Sequence, residues 1–384
     1  MPKRYILLFI LGFLLLPLLF LLPGKIAPKN VASVAQSGPP GRVQIANLKG
    51  YGKTIVTDQN KLLRGGAAWI FKYARQINLL GYTREPTYWQ KMRENGINAV
   101  RIIAFDPWQR SEGYIAMKLI AENAKDREEI SQDTKDFLDH LDAVVDLAAQ
   151  YGMYAVINYH DVGKYQDCQP RNPQQAGKDI VCPTTFKYIT KFWNLVAPRY
   201  KNRPHVIYEI ANEPVSDRNG GNWFPSDFRL DPYLKDQKTL YDLIRSKAPN
   251  THIIMLSFAN TTTFGNPRTM KVVADDLNQL GIDWSNTSIG FHPYATGGSS
   301  KDIRDLMAKY PVVNTEGNFP PKVTIQDPDA QKTESMDGEL FGVQTMERLG
   351  ISWFQWKIDG YDHFQNNYVG VLKKDAQQKG YFWN

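Results

Sequence analysis

The chain has 384 residues, a net charge of +7, and is 42% apolar, 22% charged and 12% aromatic. These values are globular and exclude collagen-like, coiled-coil and disordered chains. Lys3, Arg4, Lys25 and Lys29 concentrate part of the positive charge before residue 31. No Lys/Arg block, zinc knuckle or RNA-binding signature follows, which argues against nucleic acid as a partner.

A basic start precedes an apolar run over residues 6–22, broken only by Gly12 and Pro17. The run sits at the lower limit of a membrane-spanning helix, ~17–25 residues, and exceeds a signal-peptide core of ~7–15. A small-residue cleavage site is present at Ser33-Val34-Ala35. Residues 1–30 therefore read as a signal peptide or a signal anchor, and either one means export. Anchored, the chain would stand on the outer face of the cytoplasmic membrane; cleaved, it would be secreted or periplasmic. Residues 31–50, with Gly38-Pro39-Pro40-Gly41 in the middle, read as a linker. Residues 51–384 are then one folded domain.

From there short apolar runs alternate with amphipathic segments. Expected strands are Leu62–Ile70, Asn98–Phe105, Met153–Tyr159, His205–Ala211, His252–Phe258, Thr287–His292, Pro311–Glu316 and Gly350–Trp356. Most are continuously apolar, as parallel strands covered on both faces are. Expected helices are Tyr88–Asn95, Ser131–Tyr151, Phe186–Tyr200, Gln237–Lys247 and Phe341–Leu349. In Ser131–Tyr151 the residues Phe137, Leu141, Val144, Val145 and Ala148 share one face. Eight strands alternating with helices predict a (β/α)8 barrel. No GxGxxG follows the first strand, which weighs against a doubly wound sheet. Between the third strand and its helix, Cys168 and Cys182 enclose a polar stretch. In an oxidising compartment they are expected to form one disulfide; two free thiols are the alternative.

A barrel carries its active site at the C-terminal strand ends. The fourth expected strand runs into Asn212-Glu213-Pro214, and the seventh ends in Glu316. Two carboxylates across one mouth suit glycoside hydrolysis, where one protonates the leaving oxygen and the other attacks or activates water. Arg101 lies inside the second strand, and a buried arginine requires an acidic partner. His160 ends the third strand, His292-Pro293-Tyr294 the sixth, and Trp353 and Trp356 lie on the eighth. Histidine and tyrosine at that depth can hydrogen-bond sugar hydroxyls, and a tryptophan can stack on a pyranose face. One of the two tryptophans is expected in the core. Trp69 and Trp108 are read as core before cleft. No HxH, HExxH or GxSxG is present, so neither a catalytic metal nor a serine triad is expected.

The stretches AVRIIAF, VINYHD, YEIANEP, GFHPY, VVNTEGN and ISWFQWKIDG, in this order and at these strand ends, resemble glycoside hydrolase family 5. The resemblance covers most of residues 60–360. It implies a retaining glycosidase with Glu213 as acid/base and Glu316 as nucleophile. It also implies that Arg101 and Tyr294 orient Glu316 and that Asn212 contacts the sugar 2-hydroxyl. His160 and His292 would line the cleavage point, and Trp356 would be the stacking platform. The chain departs from familiar members at Asn158-Tyr159, where Asp-Trp is common, and in the long stretch after Glu316. The expected activity is that of an endo-β-1,4-glucanase without a cofactor, acting as a monomer on a β-glucan. A β-mannanase is the alternative in the same fold, and a non-catalytic polysaccharide-binding or assembly barrel the alternative in another class.

Overall fold

The computed structural model describes residues 38–70, 82–105, 132–160, 186–213, 230–259, 267–293, 300–317, 335–336, 339–340, 343–356, 368–380 and 383. The expected disulfide of Cys168 and Cys182 and the apolar run 6–22 lie outside these residues. So do Trp108 and Tyr294. Among the described residues no helix is long and apolar enough to cross a membrane.

All eight expected barrel strands form. They are β3 (Arg64–Trp69), β4 (Ala99–Phe105), β5 (Tyr154–Tyr159), β6 (Val206–Glu209), β7 (His252–Ala259), β8 (Thr287–His292), β9 (Val312–Gly317) and β12 (Ser352–Gln355). Each pairs in parallel with the next, β12 pairs with both β9 and β3, and the sheet closes. Helices α1 (Pro86–Glu94), α2 (Gln132–Gln150), α3 (Phe186–Tyr200), α4 (Leu230–Lys247) and α7 (Val343–Leu349) match the expected ones within a few residues, except that α4 begins earlier. Three more helices, α5 (Pro267–Gln279), α6 (Ser300–Lys309) and α8 (Tyr368–Lys379), were not expected individually. A short pair, β10 (Ser335–Met336) with β11 (Glu339–Leu340), stands apart from the barrel.

The reading of residues 31–50 as linker needs correction at its end. Gln44–Leu48 is strand β1, antiparallel to β2 (Gly52–Val56). The segment is short and mixed in polarity, so composition hides it. Its partner strand carries the information: Ile55 and Val56 are fully buried. Ile55 joins Val43, Leu63, Ala99, Tyr154, Val156, Ile207, Ile254, Val313 and Phe354 in one apolar cluster. Apart from Val43 and Ile55 of the hairpin region, these residues lie on the barrel strands or, for Leu63, just before one, so the cluster fills the barrel at its N-terminal end, and the hairpin lies against it. Thr54 Oγ1 donates to the Val312 carbonyl at 2.8 Å, and Ser352 Oγ donates to the Ile55 carbonyl at 2.6 Å. Gly65 makes this layer possible. A Cβ there would stand 2.5 Å from the Ala99 carbonyl and 2.6 Å from the Phe354 ring.

A larger apolar cluster packs between the strands and the helices, with Trp89, Trp193 and Trp353 among its buried members. One ion pair is buried at its edge. Arg64 Nε and Nη2 donate to the two Glu347 oxygens at 2.6 and 3.0 Å, and Trp353 Nε1 donates to Glu347 at 2.8 Å. Glu347→Ala leaves a buried guanidinium and an indole N–H without this acceptor, a loss of ~3–5 kcal/mol. Urea unfolding should show the fall, and an unchanged midpoint would mean the pair contributes nothing net.

Candidate active site

The floor of the barrel is apolar, and the layer above it is charged. Ala99 and Arg101 alternate on the inner face of β4, so the side chain two residues beyond the floor is a guanidinium with no exposed surface. Arg101 Nε donates to Glu209 Oε2 at 2.6 Å and Nη2 to Glu209 Oε1 at 3.0 Å. Nη1 donates to Glu316 Oε2 at 2.8 Å, and Nη2 also reaches Asn212 Oδ1 at 2.6 Å. Burial opposes the arginine's charge, but Glu209 and then Glu316 outweigh it and push its pKa up. The expected partner Glu316 is therefore present, but the two-point partner is Glu209, which sequence reasoning missed.

Glu213 follows β6 with φ of +39°, a left-handed backbone that a non-glycine residue holds only under local constraint. Its carboxyl faces His292 from β8, with Oε1 at 2.8 Å from Nδ1. The same nitrogen lies 3.9 Å from Glu316 Oε2. Burial raises the Glu213 pKa to about 7, against the pull of Arg101. Burial also lowers His292 to about 4. Near neutral pH the Glu213–His292 contact is therefore a hydrogen bond with neutral imidazole, not an ion pair. Both carboxylates and His292 offer atoms within 4.8 Å of one another. Glu316 Oε2 already accepts from Arg101, which brings a positive charge of the protein's own to the cluster.

His160 is buried beside this cluster. Its Nδ1 lies 2.9 Å from Asn158 Oδ1, while Asn158 Nδ2 is buried with no partner among the described residues. Burial, then the nearby charge of Arg101, hold the His160 pKa well below its ordinary value. Its ring stacks on Trp356 with centroids 5.2 Å apart and planes 9° apart. Trp356 is partly exposed, whereas Trp353 is fully buried. The expectation that one of the two belongs to the core holds, with Trp356 left at the mouth. Trp69, read as core, is partly exposed and lies 5.3 Å from Trp356.

Of the expected residues the structure brings together Arg101, Asn212, Glu213, His292 and Glu316, with His160 and Trp356 alongside. Glu209 was legible by the reasoning applied to Arg101, since a charge inside the run HVIYEIA requires a partner. Ser257, which donates to Glu209 Oε1 at 2.6 Å, was not. Ile254 faces the barrel interior, so alternation sends Leu256 inward. A register shift between Met255 and Phe258, with Leu256 at φ of +77°, turns Ser257 inward instead.

A closed parallel barrel with paired glutamates at two strand ends defines a (β/α)8 protein of glycosidase layout. The cellulase (glycosyl hydrolase family 5) profile matches residues 73–362, and the chain belongs to that family. It is 22% identical over 325 residues to endoglucanase C of Evansella cellulosilytica, covering 78% of this chain and 37% of that protein. It is 26% identical over 220 residues to endoglucanase A of the same organism, covering 57% of this chain and 38% of the relative. The chain thus spans under two fifths of the length of these relatives. A beta-glucanase of Saccharophagus degradans solved with cellotetraose shares the fold, with a TM-score of 0.56 at 17% identity over 88% of this chain and 94% of that one.

The raised pKa has a consequence for stability. Folded Glu213 keeps its proton to about pH 7, and an ordinary glutamate only to 4.5. Its contribution is therefore unpenalised below that lower value, and stability is lost as pH rises through 7. Glu213→Gln, neutral throughout, should match wild type near pH ~4 and exceed it near pH ~8 by up to ~3 kcal/mol. Chemical denaturation across that range reads the difference. A constant offset would mean Glu213 is not protonated in the folded chain.

Proposed function

We propose that this chain is a retaining endo-β-1,4-glucanase, hydrolysing O-glycosidic bonds of β-glucans. The observation that carries the reading is the closeness of the Glu213 and Glu316 carboxyls, with an oxygen of each within 4.8 Å of the other. That spacing suits the ~5–5.5 Å of a double displacement. It lies nearer to that range than to the ~6.5–9.5 Å that makes room for an inverting water.

Glu213 keeps its proton to about pH 7. It gives that proton to the leaving glycosidic oxygen as the bond to the anomeric carbon breaks. Glu316, hydrogen-bonded to Arg101, attacks the opposite face of that carbon and forms a glycosyl ester. Glu213, now ionised, takes a proton from water. The resulting hydroxide equivalent displaces Glu316 and regenerates both acids with retention. Asn212 has its carbonyl oxygen engaged by Arg101, which leaves its amide N–H groups for the sugar 2-hydroxyl. Trp356, backed by His160, is the platform for the ring being cleaved. Tyr294 is assigned with Arg101 to orienting Glu316. The endoglucanase names of the relatives favour β-glucan over mannan.

Reducing-sugar release should be measured on carboxymethylcellulose, barley β-glucan, lichenan, glucomannan, galactomannan and xylan, with Glu316→Gln as the blank. Release from the β-glucans that vanishes in Glu316→Gln is expected. Release from galactomannan alone would make the enzyme a mannanase, and silence on every polymer and on aryl glycosides would refute the hydrolase.

The same reading takes residues 1–30 as leader or anchor, with the catalytic unit exported and Cys168 bonded to Cys182. Mass spectrometry of the exported protein tests both. Loss of residues 1–35 means a cleaved signal, and retention means an anchor. Two free thiols would refute the disulfide.

A further inference from the structure

A run of polar contacts between 2.6 and 3.4 Å leads through the barrel interior from Glu209 to Glu213, and its direction is determined from one end. Glu209 is a carboxylate clasped at two points by Arg101, so it only accepts. Ser257 Oγ lies 2.6 Å from Glu209 Oε1 and must spend its single proton there. At its 3.4 Å contact with Thr315 Oγ1, Ser257 can then only accept, and Thr315 donates. Thr315 has no second proton, so at 3.0 Å from His292 Nε2 it accepts. That nitrogen must carry the hydrogen. A neutral imidazole has one N–H, so Nδ1 presents its lone pair to Glu213 Oε1 at 2.8 Å. The contact closes only if Glu213 is the donor.

Resting on the glycosidase reading, we propose that Ser257 and Thr315 are positioning residues for the acid/base, which fix the Nε2–H tautomer of His292 so that Glu213 holds the catalytic proton. The backbone is built for this. The non-glycine positive φ angles at Leu256 and Ser257 form the bulge that turns Ser257 inward. The adjoining residue on β8 is Gly290, where a Cβ would stand 2.5 Å from Ser257 Oγ. With Nδ1–H facing Glu213 instead, the ionised carboxylate would be favoured and the acid lost at lower pH. Among the described residues, the charged and titratable groups around His292 include Glu213 after β6, Glu316 from β9, Arg101 from β4, Glu209 from β6 and His160 after β5. Thr315 contacts Nε2 through its hydroxyl, while Glu213 and Glu316 face Nδ1.

The test is Thr315→Val, which keeps the side-chain shape and removes the hydroxyl. The alkaline limb of the pH–rate profile should move to lower pH by about one unit. Turnover of polymer, with its poor leaving group, should fall ~10-fold or more while an activated aryl glycoside is largely spared. Thr315→Ser should restore both. A lowered melting temperature with an unmoved limb would reduce Thr315 to a structural role and overturn the proposal. Should Thr315→Val fail to fold, Ser257→Ala must move the limb the same way. The wild-type protein gives an independent reading: 15N spectra of labelled histidine, with His292→Gln to assign the signal, should show Nε2–H. An Nδ1–H signal overturns the proposal even if every variant is inactive. If wild type hydrolyses nothing, the glycosidase reading fails, and the tautomer is still decided by the spectrum.

Discussion

The structure depends on keeping a guanidinium charged inside the barrel. Arg101 has no exposed surface, and a charge so placed is tolerated only with matched partners. It finds two carboxylates and an amide oxygen, contributed by β6, the segment that follows it and β9. The demand for partners therefore ties three parts of the wall together at the height where the site begins. It also divides the glutamates into roles. Glu209 and Glu316 lie on the arginine, while Glu213 lies on neutral His292 and keeps its proton to about pH 7. Glu213 keeps its proton because burial outweighs the pull of Arg101, whereas Glu316 accepts a hydrogen bond from that arginine directly.

The two ends of the barrel follow from opposite solutions to one packing problem. At the N-terminal end apolar side chains fill the interior, and the β1–β2 hairpin covers them. The polar groups described there include the hydroxyls that tie the hairpin to β9 and β12 and the Tyr154 hydroxyl, which donates to Asp58 Oδ1. At the C-terminal end the interior is filled by polar side chains, each needing a specific neighbour. Such a layer is less forgiving, because an unpaired buried donor costs more than a missing methylene. That expense is the reason to expect a function there, and the left-handed backbone at Leu256, Ser257 and Glu213 is found at the same level.

Much of this was legible beforehand. Eight continuously apolar runs announced buried parallel strands, and all eight form. Arg101 inside an apolar run announced a buried ion pair, and strand-end Glu213, His292 and Glu316 announced a mouth. Gln44–Leu48 was hidden because a short edge strand of mixed polarity looks like linker. Glu209 was hidden behind an incomplete use of the argument that found Arg101. Ser257 could not have been found, since the alternation that locates interior residues breaks at the bulge.

The sequence by itself determined the period of the strands, the order in which chemistry-bearing residues meet the strand ends, and the family. These are local properties, carried by burial and by residue type. Only the tertiary structure decided which acid each cation holds and which acid keeps its proton. Those outcomes depend on distances between residues far apart in the chain, such as Arg101 to Glu316 at 2.8 Å and His292 to Glu213 at 2.8 Å. Electrostatic energies inside a protein change steeply over such distances, and no spacing along a strand encodes them.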